Sequence, residues 1–349
     1  MKRFLLQDST SYTDSEYQDY ILQGVSRTFA LTIPQLPKQL EAVVGNAYLW
    51  CRIADTIEDD PHLALALKVS FSDQLTQLLA GHGSADDWAC ELLSQLDGNT
   101  AAAELDLIAN SQRMLRLFLS FKPSQQAIIQ QCVATMVQGM MHYQSHQPHA
   151  GLANLPALND YCYHVAGIVG EMLTLLYCDY CSKVRQHQDS LMPLAVSFGQ
   201  GLQMTNILKD IWQDQSRGIC WLPQDVFSGH NIELKNLPSQ RTEVAFQQGV
   251  IELVAIAHTH LQDAMRYTLM LPSSEQGYRN FCLWAIGIAM LTLKNIHRRP
   301  DFEQSSQIKI SRNKVKIIFV VTRIIGRSNI LVRLFFKRLA RGLPVRIGD

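Results

Sequence analysis

Two stretches decide the fold: Tyr48-Leu-Trp-Cys-Arg52-Ile-Ala-Asp55-Thr-Ile-Glu-Asp59 and Gln203-Met-Thr-Asn206-Ile-Leu-Lys-Asp210-Ile-Trp-Gln-Asp214. Each sets two aspartates four residues apart, one turn along a single helix face. At about 100° per residue, Tyr48, Arg52, Asp55 and Asp59 fall within a stripe roughly 60° wide. On the same wheel Gln203, Asn206, Asp210, Asp214 and Arg217 span roughly 80°. Between them lie Leu49, Trp50, Cys51, Ile53 and Ala54 in one segment, and Met204, Ile207, Leu208, Ile211 and Trp212 in the other. A surface helix divides into one polar and one apolar face. A narrow polar stripe on an otherwise apolar helix is the pattern of a helix buried nearly all round. A solvated face would explain either acidic pair alone, but not the apolar remainder. Buried carboxylates must be paired or must hold a cation, so the two stripes together predict a polar cavity inside a helical bundle.

Working outward, the 12 prolines mostly punctuate the chain at intervals of helix length, with 3.6-type apolar spacing between them and little β-branched alternation. Pro123, Pro193, Pro223 and Pro272 are read as such breaks. The pattern predicts an all-α chain of long helices and short connections. The 349 residues suffice for one large helical domain or two smaller ones. No internal repeat, low-complexity tract or composition shift marks a boundary before about residue 300. The eight cysteines are scattered along apolar segments without framework spacing, and all are read as reduced core residues of a cytoplasmic chain. The first twenty residues lack an apolar signal core. The longest apolar run, Phe281 to Leu293, suits a core helix rather than a membrane span.

Lysine plus arginine balance aspartate plus glutamate at 31 each, but the distribution is lopsided. Residues 308–341 hold ten Lys or Arg and no acid, interleaved with Ile317, Ile318, Val320, Val321, Ile324, Ile325, Leu331 and Leu334. Such a segment suits an anionic membrane surface or a polyanionic ligand near its start, or is a final bundle helix with a solvated basic side. Bases confined to one region argue against nucleic acid.

Asp-rich turns in a helical cavity suit hard, oxygen-ligated cations, above all Mg²⁺, which takes one or two carboxylates and completes its shell with water or phosphate oxygens. A di-iron bundle would need Glu-x-x-His pairs, and none accompanies these acids. Two carboxylate clusters with Mg²⁺ point to a diphosphate substrate, whose leaving group the metal neutralises. An allylic diphosphate would leave a carbocation, which an apolar pocket with aromatic faces shields and stabilises.

With these residues in view, the chain resembles the squalene/phytoene synthase family from about Ser26 to Pro223, and more weakly beyond. The motifs are Ser26-Arg-Thr-Phe29, Tyr48 to Asp60, Tyr161-Cys-Tyr-His-Val-Ala-Gly167-Ile-Val-Gly170, Gln203 to Asp214, and Trp221-Leu-Pro223-Gln-Asp225. Asp55 to Asp60, Tyr161 to Gly167, Arg279-Asn-Phe281-Cys282 and Ile308-Lys-Ile-Ser-Arg312 resemble the squalene-forming branch more than the phytoene-forming one. Lys209 departs from the Arg usual there in eukaryotic members, and Ser311 from a usual basic residue.

The resemblance implies a single-domain isoprenoid-synthase bundle, all-α, around a central cavity with two facing Asp-rich motifs. Residues 1–307 would form the catalytic domain, and 308–349 a basic amphipathic segment packed on it, able to face a membrane. It implies Mg²⁺ on Asp55, Asp59, Asp210 and Asp214, with Glu58 assisting, and head-to-head condensation of two farnesyl diphosphates to presqualene diphosphate. Reductive rearrangement with NADPH then gives squalene; without the reductant the pathway ends at a dehydro product or phytoene, and a catalytically silent member is the remaining alternative. Tyr161 is matched to the proton-transfer step. Tyr48 and Arg52 share the first acidic face, where Arg52 either pairs with an aspartate or binds diphosphate. Ser26, Arg27 and Phe29 would flank the first diphosphate, Ser26 doubling as a helix cap. Gln203 and Asn206 would contact substrate. Phe281 and Cys282 would line the pocket of the second step, or simply pack. Asn206, Lys209, Arg217, Lys309 and Arg312 would meet NADPH and diphosphate, since no GxGxxG announces a Rossmann domain. His164 is read as a satisfied core histidine. A monomer, at most peripheral to the cytoplasmic membrane face, is expected.

Overall fold

Helical periodicity carries through into structure. The computed structural model describes residues 12–26, 28–96, 98–146, 149–240 and 243–345, and among them the sole extended pairing is a parallel bridge between Leu152 and Pro223. The chain divides into two compact units, residues 1–137 and 138–349, with the division falling inside one helix, α8 (Pro123–His146).

The first unit holds α1 (Asp14–Val25), α2 (Phe29–Thr32), α3 (Lys38–Asp59), α4 (Leu65–Leu79), α5 (Ala85–Gln95), α6 (Ala102–Ala109) and α7 (Ser111–Leu119). Thr13 and Glu16 form a reciprocal capping box that starts α1. As its stripe predicts, α3 is buried on nearly every side, from Leu40 to Glu58. A buried polar relay fixes its rotation: Trp50 Nε1 donates to Asn46 Oδ1 at 3.0 Å, and Asn46 Nδ2 donates to the Met114 carbonyl of α7 at 3.1 Å.

The second unit runs through α9 (Leu155–Cys162), a π-helical turn (Tyr163–Gly167), α10 (Ile168–Tyr180), α11 (Ser182–Arg185), α12 (Gln188–Ser216), α13 (Gln224–Ser228), α14 (Leu237–Gln240), α15 (Val244–Met270), α16 (Gln276–Arg298), α17 (Arg312–Ile325) and α18 (Asn329–Ala340). Two glycines allow α10 and its π-turn to lie directly on α12. A Cβ on Gly170 would sit 2.2 Å from the Ala195 carbonyl oxygen, and one on Gly199 at 2.2 Å from that of Ala166. The apolar run Phe281–Leu293 forms the buried middle of α16, and no helix among the described residues is long and apolar enough to cross a membrane.

Two expectations are corrected. Pro193 does not break the chain but lies inside α12, in its second turn, where it forfeits a single intrahelical N–H bond. The cysteines are free, but not all are core: Cys90 is exposed on α5 and Cys181 is half-buried at the end of α10.

Candidate active site

In the first unit, the polar stripe of α3 gathers the residues its sequence singled out. Ser26 ends α1, and its Oγ accepts from the Phe29 N–H at 2.9 Å at the start of α2, where Thr28 holds the N-cap position without a side-chain bond. The Phe29 ring lies against that of Tyr48, centroids 5.0 Å apart, and Tyr48 Oη donates to the Val25 carbonyl at 3.5 Å. Burial pushes the Tyr48 phenol up, with the Ser26 hydroxyl and Arg52 acting against it. Arg27 lies outside the described residues.

One turn on, Arg52 reaches Asp55 at 3.8 Å and makes a short ion pair with Glu104 of α6. Burial pulls the guanidinium pKa down, but Asp55 and Glu104 outweigh it and the net direction is up. Its Nε is buried with no hydrogen-bond partner. The Asp55 carboxyl is pushed up to about 7, first by withdrawal from water, then further by Asp59 and Glu104, with Arg52 opposing. Its side chain keeps 38 % of its surface open, so water and ions still reach it. Asp59 is exposed, while Glu58 is buried around the helix. Lys68 of α4 donates to the Glu58 carbonyl, and burial lowers its ammonium pKa against the pull of Glu58, Asp59 and Asp60. Of the two expectations for Arg52, the pairing with an aspartate is present, and Glu104 orients the guanidinium from α6.

In the second unit, Gln203, Asp210 and Asp214 are half-buried on α12, whereas Asn206 and Arg217 are exposed. Lys209 turns onto its own motif: Nζ lies 3.1 Å from Asp210 Oδ2 and donates to Asn206 Oδ1 at 3.4 Å. A short 3₁₀ turn (Ser305–Ile308) docks here, with Ser305 Oγ against the Lys209 carbonyl at 3.1 Å and Asp210 Oδ1 at 3.3 Å. Lys309 and Arg312 follow on this tethered segment, exposed and with no ion pair among the described residues.

A second cluster surrounds Tyr161. Its ring stacks on Trp221 with centroids 3.9 Å apart and planes at 9°, and Tyr143 closes the box edge-on at 5.1 Å from Tyr161. Backbone pairing of Leu152 N to Leu222 O (2.9 Å) and Gln224 N to Leu152 O (2.8 Å) brings Trp221 there. Gly151, at φ 91°, allows it, because a Cβ would meet the Leu222 carbonyl at 2.6 Å. Tyr143 Oη donates to Asp160 at 2.8 Å, and burial with that carboxylate raises its pKa. The π-helical turn begins two residues after Tyr161; such turns commonly re-aim side chains at functional sites. His164 pairs its Nδ1 with the Asp160 carbonyl at 3.0 Å, hydrogen-bonded as expected, but it is half-buried rather than a core histidine.

Phe281 and Cys282 are buried on α16. Burial pushes the Cys282 thiol up to about 12, offset by Thr268 and Arg279, so it is an inert apolar group rather than a nucleophile.

The donor sets fit a hard divalent cation. Among the described residues no three His, Cys, Asp or Glu side chains form a closed metal cage. What the motifs offer instead is carboxylate pairs, and the Asp55 carboxyl is pushed up first by burial and then by Asp59 and Glu104, a cost that a bound cation would relieve. Sequence reasoning missed Glu104 and Lys68 beside the α3 stripe, Tyr143 beside Tyr161 and Ser305 beside Asp210, which arrive only through tertiary contact; Trp221 stood in a recognised motif without a role.

Comparison with known proteins follows this geometry. The family profile described as squalene/phytoene synthase matches residues 22–314. The squalene synthase of Cyberlindnera jadinii is 26% identical over 323 residues, 91% of this chain and 70% of that protein. That of Eremothecium gossypii is 28% identical over 307 residues, 87% and 66%, and squalene synthase ERG9 of Candida albicans is 28% identical over 288 residues, 80% and 61%. The chain thus spans about two thirds of the length of these relatives. Among solved structures, TcSQS with the ligand BPH1237 superposes with a TM-score of 0.75 at 21% identity, covering 96% of this chain and 94% of that one. A dehydrosqualene synthase in complex with ligand gives 0.66 at 18%, covering 93% and 97%. The expected all-helical class is therefore the fold the chain shares with them.

Proposed function

This chain belongs to the squalene/phytoene synthase family, and on that premise we propose that it condenses two farnesyl diphosphates head to head and reduces the product to squalene with NADPH. The family acts on prenyl diphosphates and uses Mg²⁺. Asp55 with Asp59, and Asp210 with Asp214, would each hold Mg²⁺, with Glu58 supporting Asp59 from the buried side of α3. When bound, Mg²⁺ neutralises the diphosphates and makes them leaving groups.

The chain's own residues do the rest. Arg52, fixed by Glu104, donates to diphosphate oxygens, and Ser26 and Phe29 line the same end. Gln203 and Asn206 contact the second substrate. The first C–O bond breaks with its electron pair leaving on diphosphate, and the double bond of the second substrate attacks the allylic cation. Tyr161 Oη relays the departing proton to released diphosphate as the cyclopropane of presqualene diphosphate closes. Trp221 and Tyr143 hold the Tyr161 ring still, and Trp221, Tyr161 and Phe281 present π-faces to cationic carbon. Cys282 packs beside Phe281. A second ionisation and ring rearrangement follow, and NADPH, when bound, supplies the hydride that ends the sequence at squalene. Lys209, Arg217, Lys309 and Arg312 meet its phosphates.

The observation that carries the reductive reading is the Ser305 tether, which fastens the segment bearing the unpaired Lys309 and Arg312 to the Asp210 motif. The alternative is a family member that stops at a dehydro product, as a dehydrosqualene synthase shares the fold. Incubation with Mg²⁺ and farnesyl diphosphate, with and without NADPH, decides between them. Squalene formed only with NADPH is expected; a dehydro product in its presence, preference for a C20 substrate, or no condensation overturns the reading.

A further inference from the structure

The end of α8 carries a pair of side chains that the prenyl chemistry does not use. His142 and His146 stand four residues apart, one turn along a single face, and both are exposed. Their rings lie together, centroids 4.6 Å apart and planes at 43°. His146 Nδ1 is 2.8 Å from the His142 carbonyl oxygen and 3.1 Å from Ser145 Oγ. A carbonyl only accepts, so Nδ1 carries the proton of the neutral ring and Nε2 keeps its lone pair. Among the described residues the His142 ring nitrogens make no hydrogen bond.

The pair is set in place from the inner side of the helix. Tyr143 is buried, its ring edge-on to Tyr161 and its hydroxyl donating to Asp160 at 2.8 Å and to the Ala157 carbonyl at 3.1 Å. The His142 ring stands nearly perpendicular to that of Tyr143, centroids 5.1 Å apart. One turn earlier Gly139 presses on His164, where a Cβ would lie 2.2 Å from the histidine Cβ. Attraction to the negative end of a helix explains a histidine at position 146. It does not explain a second imidazole leaning on the first with its nitrogens open.

Two rings held this way have the span of a chelate. With metal–nitrogen bonds of about 2.0–2.1 Å and a ring nitrogen about 1.1 Å from its centroid, two imidazoles on one ion have centroids about 4.5–5.2 Å apart at bond angles of about 90–109°. The observed 4.6 Å falls inside that range. Imidazole suits Zn²⁺, Ni²⁺ and Cu²⁺, whereas Mg²⁺ prefers the oxygen ligands of the aspartate motifs. No third His, Cys, Asp or Glu joins the pair among the described residues, so water fills the remaining positions of a bound ion.

We infer that His142 and His146 chelate a divalent transition metal of the Zn²⁺ class at the end of α8, a site separate in its ligand chemistry from the aspartate motifs. By bridging residues one turn apart, the ion holds the last turns of α8 helical, the stretch from which Tyr143 reaches Tyr161.

The test is calorimetric titration of ZnCl₂ into the full chain in millimolar Mg²⁺. A binding event is expected that is lost in His142→Gln and in His146→Gln and kept in Asp55→Asn/Asp210→Asn, which removes a carboxylate from each aspartate motif. Zn²⁺ should raise the melting midpoint of the parent and leave that of both histidine variants unmoved. If a histidine variant melts early without metal, the parent alone decides. Its modification by diethyl pyrocarbonate, mapped by peptide mass spectrometry, should fall at His142 and His146 when Zn²⁺ is added, while the exposed His82 reacts as before. Absence of Zn²⁺ binding overturns the inference. So does binding of unchanged strength in either folded histidine variant, binding lost only with the aspartates, or undiminished modification of both histidines. None of these outcomes depends on which product the prenyl chemistry yields.

Discussion

The rings of Tyr161 and Trp221 lie 3.9 Å apart and within 9° of parallel, which holds the phenol by its face. Such a pair contributes about 0.5–1.5 kcal/mol beyond the area it buries. Tyr161→Phe should therefore retain the stack and the melting midpoint while lowering kcat about 10²- to 10⁴-fold. Trp221→Leu should lower both activity and midpoint. Equal kcat for Tyr161→Phe and the parent removes the hydroxyl from the mechanism.

Asp55 titrates near 7 in the folded chain, well above the ordinary carboxylate range. The folded state thus holds this proton more tightly than the unfolded state. The sign follows: between about pH 4 and 7 stability falls as pH rises, and the penalty is complete above 7. Without Mg²⁺, Asp55→Asn should melt higher than the parent at pH 8, with the difference shrinking toward pH 5, while condensation is lost. A pH-independent difference in midpoint contradicts this.

Glu104 both pairs Arg52 and adds negative charge beside Asp55. In Glu104→Gln that charge is gone and Arg52 is freer to serve Asp55, so both changes favour the carboxylate. The acidic limb of the pH–rate profile at subsaturating Mg²⁺ should move to lower pH. An unmoved limb would remove Glu104 from the control of Asp55 titration.

Gly199 touches the Ala166 backbone, and a Cβ there would lie 2.2 Å from its carbonyl oxygen. Backbone cannot rotate aside as a side chain can. Gly199→Ala should destabilise by about 1–3 kcal/mol, seen as a melting midpoint lower by several degrees, and should disturb the π-turn two residues beyond Tyr161. An unchanged melt would mean that α10 and α12 can separate freely.

Ser305→Ala removes the hydroxyl that joins the 3₁₀ turn to Lys209 and Asp210. The expected result is a KM for NADPH raised roughly threefold to tenfold, with the KM for farnesyl diphosphate and the melting midpoint nearly unchanged. A rise confined to farnesyl diphosphate would assign the tether to substrate rather than reductant.

Much of this was legible in the chain alone. The narrow polar stripe of Tyr48, Arg52, Asp55 and Asp59 announced a buried helix, and α3 is buried on nearly every side. The class, the long helices and the carboxylate chemistry followed, because helical spacing is local and a wheel can be drawn from residue numbers. Pro193 misled for the same reason: proline is a local signal, but its cost depends on where in the helix it falls.

What the sequence determined by itself was which side chains share a face. What only the tertiary structure decided was what each face meets. Glu104 reaches Arg52 from 52 residues away, Ser305 reaches Asp210 from 95, and Trp221 meets Tyr161 only because Gly151 lets the Leu152 strand pass close to Leu222. Periodicity carries no information about such partners. Burial and charge, which set the Asp55 titration and the Arg52 pairing, are properties of the packed neighbourhood and not of the residue.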